Sequence, residues 1–421
     1  MGDVVELKPK KSADWKAALL KNKEKYVPCL NNAVLILTHE KKWHNVIAYD
    51  AFAGVIVKKR PPPWFPDTTP EDDAVGDWTR KDSSRAGVWI AREYNCSIPT
   101  YLIAEAVEVI ADRWIVHPVR DWLNEQRWDK KPRVDDFLIR LAGAEDTDYV
   151  RAVTRNFFIS AVARIFKPGE QVDTMLIVEG ETGGGKSSLF RILASDDWFL
   201  DSAFEMGSKD GYQILRRKWI IEIGELAAYS RAEDARRKAF ISSVKDTYRP
   251  SYGHAPIDFL RQCVFVGTYN PDGAGYNKDV TGDRRSQPVV VKNIDRKAVR
   301  QERAQLWAEA VVRYRRNESW HLDNLKLIKA AAEEAEERRQ PDPWETHIAE
   351  FLAMNGTIYR KNGIRIEDLL SDAIEMPKDR QAHADRIRVG RALHILGWHP
   401  TRGTDGSRRY KPADKKKKGQ K

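Results

Sequence analysis

The sequence predicts an α/β fold, a parallel sheet flanked by helices around a phosphate-binding loop, and three observations carry that reading. Thr174-Met-Leu-Ile-Val178 is a short apolar run, as a buried parallel strand requires. Gly180 to Ser188 reads Gly-Glu-Thr-Gly-Gly-Gly-Lys-Ser-Ser, which fits the pattern G-x-x-x-x-G-K-[ST] at Gly180, Gly185, Lys186 and Ser187. Ser187-Ser-Leu-Phe-Arg-Ile-Leu193 then opens a helix. Strand, glycine loop and helix in that order set bare backbone N–H groups at a helix N-terminus, where they surround phosphate oxygens. Gly180, Thr182, Gly183, Gly184, Gly185 and Ser188 form the cradle in this reading. Lys186 reaches the β- and γ-phosphates, and the Ser187 hydroxyl holds Mg²⁺. A solvated lysine on a flexible glycine turn is the alternative. The expected ligand is a nucleoside triphosphate.

At 421 residues the chain has room for two to four domains, each with its own core. Its longest apolar stretches, such as Ala33–Leu37 and Met175–Val178, are too short to span a bilayer. The first residues hold no apolar signal core, so export is not expected. Cys29, Cys96 and Cys263 are widely separated, odd in number and outside zinc-ligand spacing, which fits a reducing cytoplasm. A net charge of +10 and a pI near 9.2 favour an acidic partner, most simply nucleic acid, over charge kept for solubility. The 14 tryptophans are spread along the chain and read as core anchors rather than stacking platforms.

Residues 1–66 read as a mixed segment. Trp15-Lys-Ala-Ala-Leu-Leu20 has helical spacing and Ala33-Val-Leu-Ile-Leu37 is strand-like. Pro61-Pro-Pro-Trp-Phe-Pro66 continues neither a helix nor a central strand, so it marks a linker or rigid turn. Residues 67–167 read as a mostly helical domain. Asp148 to Phe166 puts Tyr149, Val153, Phe157, Val162 and Ile165 on one face, and Lys167-Pro-Gly169 stops it before the nucleotide-binding strand.

The nucleotide-binding domain is expected over residues 168–325. Arg217-Lys-Trp-Ile-Ile-Glu-Ile-Gly-Glu-Leu226 reads as a second buried strand ending in acidic residues. A phosphate-loop enzyme needs a carboxylate there, to support Mg²⁺ and to orient the attacking water. Glu225 stands at the expected strand end as the water-activating group, with Glu222 as a further candidate for the metal shell. A third strand, Gln262 to Tyr269, runs into Asn270-Pro271. Asn270 is placed to meet the γ-phosphate or the attacking water, and a turn-forming Asn-Pro pair is the plainer alternative. Arg284 and Arg285 precede the apolar run Pro288 to Val291 and suit a finger on a phosphate, a neighbour's included; exposed ion pairs would explain them too. Between the second and third strands, Lys245, Tyr248, Arg249 and Tyr252 interleave cations with aromatics, as a surface tracking single-stranded nucleic acid does. Pro250 and Gly253 imply a hairpin or loop, and a packed turn fits the same spacing.

Residues 326–343 read as a helical linker ended by Pro341-Asp-Pro343. Residues 344–412 read as helix (Trp344–Met354), short strand (Thr357–Tyr359), helix (Ile366–Ile374), helix (Asp379–Leu396) and a hairpin turning at Asp405-Gly406. That order predicts a winged helix. Arg386, Arg388 and Arg391 lie on its third helix, and Arg408 and Arg409 on the wing, as candidate DNA contacts; protein docking is the other use of such domains. The basic tail 413–421 attracts phosphate only nonspecifically.

His117-Pro-Val-Arg-Asp121, Trp128-Asp129, Gly169 before Asp173-Thr-Met-Leu-Ile-Val-Glu-Gly180, and Glu222-Ile-Gly-Glu-Leu226 occur in order. Arg249-Pro-Ser-Tyr-Gly253, Gly267-Thr-Tyr-Asn270 and Thr281-Gly-Asp-Arg-Arg285 follow. Together these blocks resemble the virulence-associated protein E family, ATPases of phages and mobile elements similar to superfamily-3 helicases within the AAA+ group. The resemblance implies a P-loop AAA+ ATPase core, a hexameric ring, ATP hydrolysis between subunits and translocation on DNA during phage or plasmid replication. It implies the cytoplasm of a bacterial host and no membrane partner. It makes Lys186 and Ser187 the phosphate-loop pair, Glu225 the acidic motif, Asn270 the sensor and Arg284 or Arg285 a finger acting in trans. Many relatives carry a primase domain ahead of this region; a short segment precedes it here, so primer synthesis is not expected. A nucleotide-gated DNA-binding or regulatory ATPase without unwinding is the alternative. A small-molecule kinase would leave the basic surface idle. The absence of an Asn-Lys-x-Asp guanine-reading motif favours ATP over GTP.

Overall fold

The computed structural model describes residues 15–66, 74–224, 231–249, 255–271, 275–277, 284–403 and 406–412. At the centre stands a five-stranded sheet in the order Ser286–Val290, Met175–Glu179, Val264–Tyr269, Ile220–Ile223, Phe199–Leu200, with every pair parallel. Strand alternation feeds two cores. Leu176, Val178, Ile220, Val264 and Val266 join Phe158, Phe190 and Trp307 on one face, where the helices Asp148–Phe166, Lys186–Ala194 and Arg296–Arg315 pack. Met175, Ile177, Ile221, Phe265 and Phe240 form the other core. Trp219 and Trp307 are fully buried with ring centroids 4.1 Å apart. Their indole N–H groups donate to the carbonyls of Ala161 and Leu193, both at 3.0 Å, so these tryptophans are core anchors.

Beneath the sheet lies a clamp with no sequence signature. Arg164 is fully buried and donates to four carbonyls, of Glu170 (2.9 Å), Val172 (2.9 Å), Cys263 (3.2 Å) and Ser243 (3.3 Å). Burial pushes its guanidinium pKa down to about 10. Those carbonyls belong to the lead-ins of two core strands and to the segment after the helix Arg231–Ser242, so one side chain fixes all three. Arg164→Met keeps most of the stem and leaves the carbonyls without a donor. The expected loss is at least ~3 kcal/mol, because each unsatisfied buried acceptor costs about 1–3 kcal/mol. It would be read as a lower urea midpoint at unchanged slope, and an unmoved midpoint would dismiss the clamp.

The N-terminal part differs from its expected layout. A four-stranded sheet runs in the order Gly76–Asp77, Val55–Lys58, Ile47–Asp50, Ile115–Val116, so strand pairing crosses the expected boundary at residue 66. The proline-rich stretch is a connection inside this unit: Trp64 packs on Trp43 at 5.6 Å and Trp78 at 6.1 Å, and Lys58 pairs with buried Asp82 at 2.8 Å. Ala33–Leu37 is not a strand. It lies in the helix Leu30–His39, whose buried residues Asn32, Ala33, Ile36 and Leu37 make a helical stripe; a five-residue apolar run cannot reveal its period. Trp15–Ala18 is a 3-10 turn rather than the start of a longer helix. From Val119 onward, Leu123, Val134 and Phe137 join the core of the central sheet, so the stretch expected as one helical domain divides near His117. His117 is the joint. Its Nδ1 accepts the Arg120 N–H at 3.1 Å and its Nε2 meets Gln262 Oε1 at 2.6 Å, while Gln262 Nε2 donates to the Ala51 carbonyl at 2.9 Å. Burial pushes the imidazole pKa down, which favours the neutral ring with its proton on Nε2.

The C-terminal unit contains the helices Pro343–Asn362, Ile366–Asp372 and His383–Ile395, then the hairpin Trp398–Arg402 with Arg408–Pro412. Ile364 bridges to Tyr410, adding a short third edge. Thr357–Tyr359, expected as a strand, continues the first helix, which a capping box at Asp342 opens and Gly363 ends. The helix expected over Asp379–Leu396 begins at His383, after a 3-10 turn at Lys378–Arg380. No helix among the described residues is long and apolar enough to cross a membrane.

Candidate nucleotide-binding site

The loop leaves the carboxyl end of the buried strand Met175–Glu179 and enters the helix Lys186–Ala194. Its glycines are required by geometry. Gly185 has φ +85°, a left-handed value that L side chains rarely adopt, and a Cβ on Gly180 would stand 2.8 Å from the Val291 carbonyl oxygen. Thr182, Gly183, Gly185, Lys186, Ser187 and Ser188 line a pocket of about 310 Å³ together with Thr268, Asn270 and Arg296.

The functional side chains converge here. Lys186 Nζ donates to the Gly180 carbonyl at 2.8 Å, the Glu181 carbonyl at 2.7 Å and Asn270 Oδ1 at 2.6 Å. Burial pushes the ammonium pKa down, and Glu222 opposes that shift. Ser187 Oγ donates to Glu222 Oε1 at 2.8 Å, and Thr268 Oγ1 donates to the same oxygen. Glu222 Oε2 is buried and has no hydrogen-bond partner among the described residues. A hydroxyl and a carboxylate with an unsatisfied buried oxygen, side by side beneath a phosphate cradle, are the hard oxygen donors that suit Mg²⁺. Of the two candidate carboxylates, Glu222 therefore meets the Ser187 hydroxyl, whereas Glu225 lies outside the described residues.

Arg284 and Arg285 stand elsewhere. Ser286 pairs with Met175 at the amino end of the sheet, and the Met175 N–H donates to the Arg285 carbonyl at 2.7 Å. Four strand steps at about 3.3 Å each separate that end from the loop by ~13 Å. The Arg285 Nε–H donates to Ser242 Oγ at 2.8 Å, whereas Arg284 is 80% exposed and only 3.7 Å from Asp173.

The Lys245 segment is a hairpin, Lys245–Tyr248 paired with Ile257–Leu260. Lys245 and Arg249 are on its exposed face, with Lys245 bonded to Asp258 at 2.6 Å. The expected interleaving of cations with exposed aromatics is corrected at Tyr248. Strand alternation turns it inward with Asp246, and it stacks on Tyr212 at 5.9 Å. Tyr252 is outside the described residues.

Among the C-terminal arginines, Arg388 is committed to its own domain. It grips Asp342 through two bonds of 2.8 and 2.6 Å and stacks over Trp344 at 3.9 Å. Arg409 donates to Ser407 Oγ at 3.1 Å and to the Asn362 carbonyl at 3.3 Å. Arg391 and Arg408, with Arg386, border an open groove between the third helix and the hairpin.

Three features went unread in the sequence. Thr268 reaches the pocket from a neighbouring strand and Arg296 from the start of the helix Arg296–Arg315, and neither carries a local motif. Glu179, directly before Gly180, is buried and held by Arg338 Nε at 2.8 and 2.9 Å and by the Tyr276 hydroxyl at 2.8 Å. Arg338 caps the helix Leu325–Glu337, so that helix is tied to the foot of the phosphate loop.

No curated protein matches the chain. Among solved structures, the A-form apo structure of the NrS-1 C-terminal region (305–718) is similar at 13% identity and a TM-score of 0.42, covering 84% of each chain. A second A-form apo structure of that region is similar at 12% identity and a TM-score of 0.41, covering 87% of this chain and 96% of the other. The virulence-associated protein E-like domain matches residues 123–341, more than half of the chain and the whole of the pocket just described. This protein belongs to the virulence-associated protein E-like family.

Proposed function

We propose that this protein is an ATP-dependent DNA helicase or replication-initiator ATPase of a phage or mobile element. In this reading it works as a hexameric ring in the cytoplasm of a bacterial host and hydrolyses ATP between subunits to translocate on DNA. The observation that carries the reading is the convergence of Lys186, Ser187 with Glu222, and Asn270 on one phosphate cradle. Lys186 exchanges its carbonyl acceptors for β- and γ-phosphate oxygens, and Ser187 with Glu222 holds Mg²⁺, which offsets phosphate charge. Asn270, released from the lysine, orients the γ-phosphate or the attacking water. Glu225 is the proposed activator of that water. The hairpin's Lys245, Arg249 and Tyr252 and the C-terminal Arg391 and Arg408 are the proposed DNA contacts, supported by the net charge of +10. Arg388 and Arg409 have intramolecular partners and serve mainly to hold the domain in shape.

A forked duplex with a labelled strand tests the proposal. Expected are ATP-dependent strand displacement and ATP hydrolysis stimulated by single strands. DNA binding and hydrolysis without displacement would replace the helicase with a nucleotide-gated DNA-binding ATPase.

A further inference from the structure

The two walls of the phosphate loop are chemically unequal. The strand Met175–Glu179 has Val264–Tyr269 on one side and Ser286–Val290 on the other. Thr268, Asn270 and, one strand further, Glu222 all come from the first side. The second wall is the chain from Val291 to Arg296, pressed against three loop glycines. A Cβ at Gly180 would lie 2.8 Å from the Val291 oxygen, one at Gly184 3.9 Å from the Lys292 oxygen, and one at Gly185 3.5 Å from Arg296 Cδ. A triphosphate whose terminal phosphate points toward Asn270 and Glu222 must therefore carry its nucleoside over this second wall.

Arg296 stands there in cis. The nearest atoms to that Gly185 position are its Cδ, Nε and Cγ, so the stem lies along the loop and the guanidinium continues past it. The residue is exposed, and its guanidinium has no hydrogen-bond or ion-pair partner among the described residues. Its backbone is fixed. Asp295 caps the helix Arg296–Arg315, and the Lys292 and Asp295 N–H groups donate to the carbonyls of Ala142 and Leu141 at 2.9 and 2.8 Å. In the nucleotide-site reading, Lys186 and the loop N–H groups meet the phosphates. What remains for a flat, weakly hydrated cation at the loop's mouth is the face of a base.

We infer that Arg296 is a nucleotide-recognition residue that stacks its guanidinium on the purine base of the triphosphate held by its own chain. The inference rests on the nucleotide-site reading above. It separates base binding, by Arg296, from phosphate binding, by Lys186.

The test compares ATP with inorganic tripolyphosphate, which has the phosphates and no base. In Arg296→Ala, the KM for ATP is expected to rise about tenfold, the scale of a lost cation–π contact. The kcat at saturation stays within about twofold, and the inhibition constant of tripolyphosphate is unchanged. Arg296→Lys, which keeps charge and loses the plane, is expected to behave like Arg296→Ala. Equal weakening of ATP and tripolyphosphate, or rescue by Lys, would make Arg296 a phosphate contact and overturn the inference. An unchanged KM would overturn it as well. Lys186→Ala, whose tripolyphosphate affinity is read by direct binding because its hydrolysis is lost, separates the two levels. If it weakens tripolyphosphate while Arg296→Ala changes nothing, only the Arg296 inference fails; if neither variant matters, the nucleotide site itself is wrong.

Discussion

Lys186→Ala is expected to abolish ATP hydrolysis while leaving the protein folded. Among the described residues, the Lys186 ammonium is the one side-chain cation that bonds into the loop itself, through the Gly180 and Glu181 carbonyls, and it also holds Asn270. Charge that builds on the γ-phosphate meets this preorganised group, so the loss falls on the transition state more than on binding. Removing one such preorganised donor typically lowers the rate by a factor on the order of a hundred to a thousand. The fold is spared because the Lys186 side chain borders the phosphate pocket and belongs to no apolar core, and water entering from that pocket meets the acceptors it releases. Phosphate release measured beside a urea titration checks both halves. Hydrolysis at the wild-type rate would remove the loop from the reaction, and a lower urea midpoint would give the lysine a structural part.

The loop was legible because its groups lie within nine consecutive residues and its flanks declare themselves, a β-branched and apolar run before it and a helix after it. What could not be read arises from pairing between distant segments. Thr268 meets Glu222 only because their strands are adjacent in the sheet, an order that no local pattern encodes. The N-terminal unit is closed by Ile47–Asp50 pairing in parallel with Ile115–Val116, across the proline stretch that reads as a boundary. Tyr248 shows a different limit. Its neighbours point to nucleic acid by composition, but the period of two in a strand decides which of them face solvent. Arg388 shows a third: an arginine on a helix with a DNA-binding pattern becomes structural once a buried Asp342 stands within reach. Which of Glu222 and Glu225 supports Mg²⁺ could not be read from spacing, because the strand's last residue, Ile223, was not known.

Arg284→Ala is expected to stop turnover by on the order of a thousandfold while sparing nucleotide binding, and its activity is expected to return in part when it is mixed with Lys186→Ala. The first expectation follows from the usual contribution of an arginine that meets charge on a transferring phosphate. The second follows from where the residue sits. Arg284 precedes the strand Ser286–Val290, whose first residue pairs with Met175, so it lies at the end of the sheet opposite its own phosphate loop. No side chain spans that ~13 Å gap, and within one chain the arginine cannot reach the nucleotide. It is nevertheless 80% exposed, held among the described residues only by a 3.7 Å approach to Asp173, and so can enter a neighbour's pocket in the proposed ring. Arg285 is tethered to Ser242 and is expected to have the smaller effect. In mixed rings, some interfaces join the intact loop of the Arg284 variant to the intact arginine of the Lys186 variant, and those interfaces hydrolyse ATP. Two chains that each carried a complete site could not rescue one another. Absence of recovery, in mixtures shown by sizing to co-assemble, would confine Arg284 to bracing its own loop. A persistent monomer with full activity would end the ring.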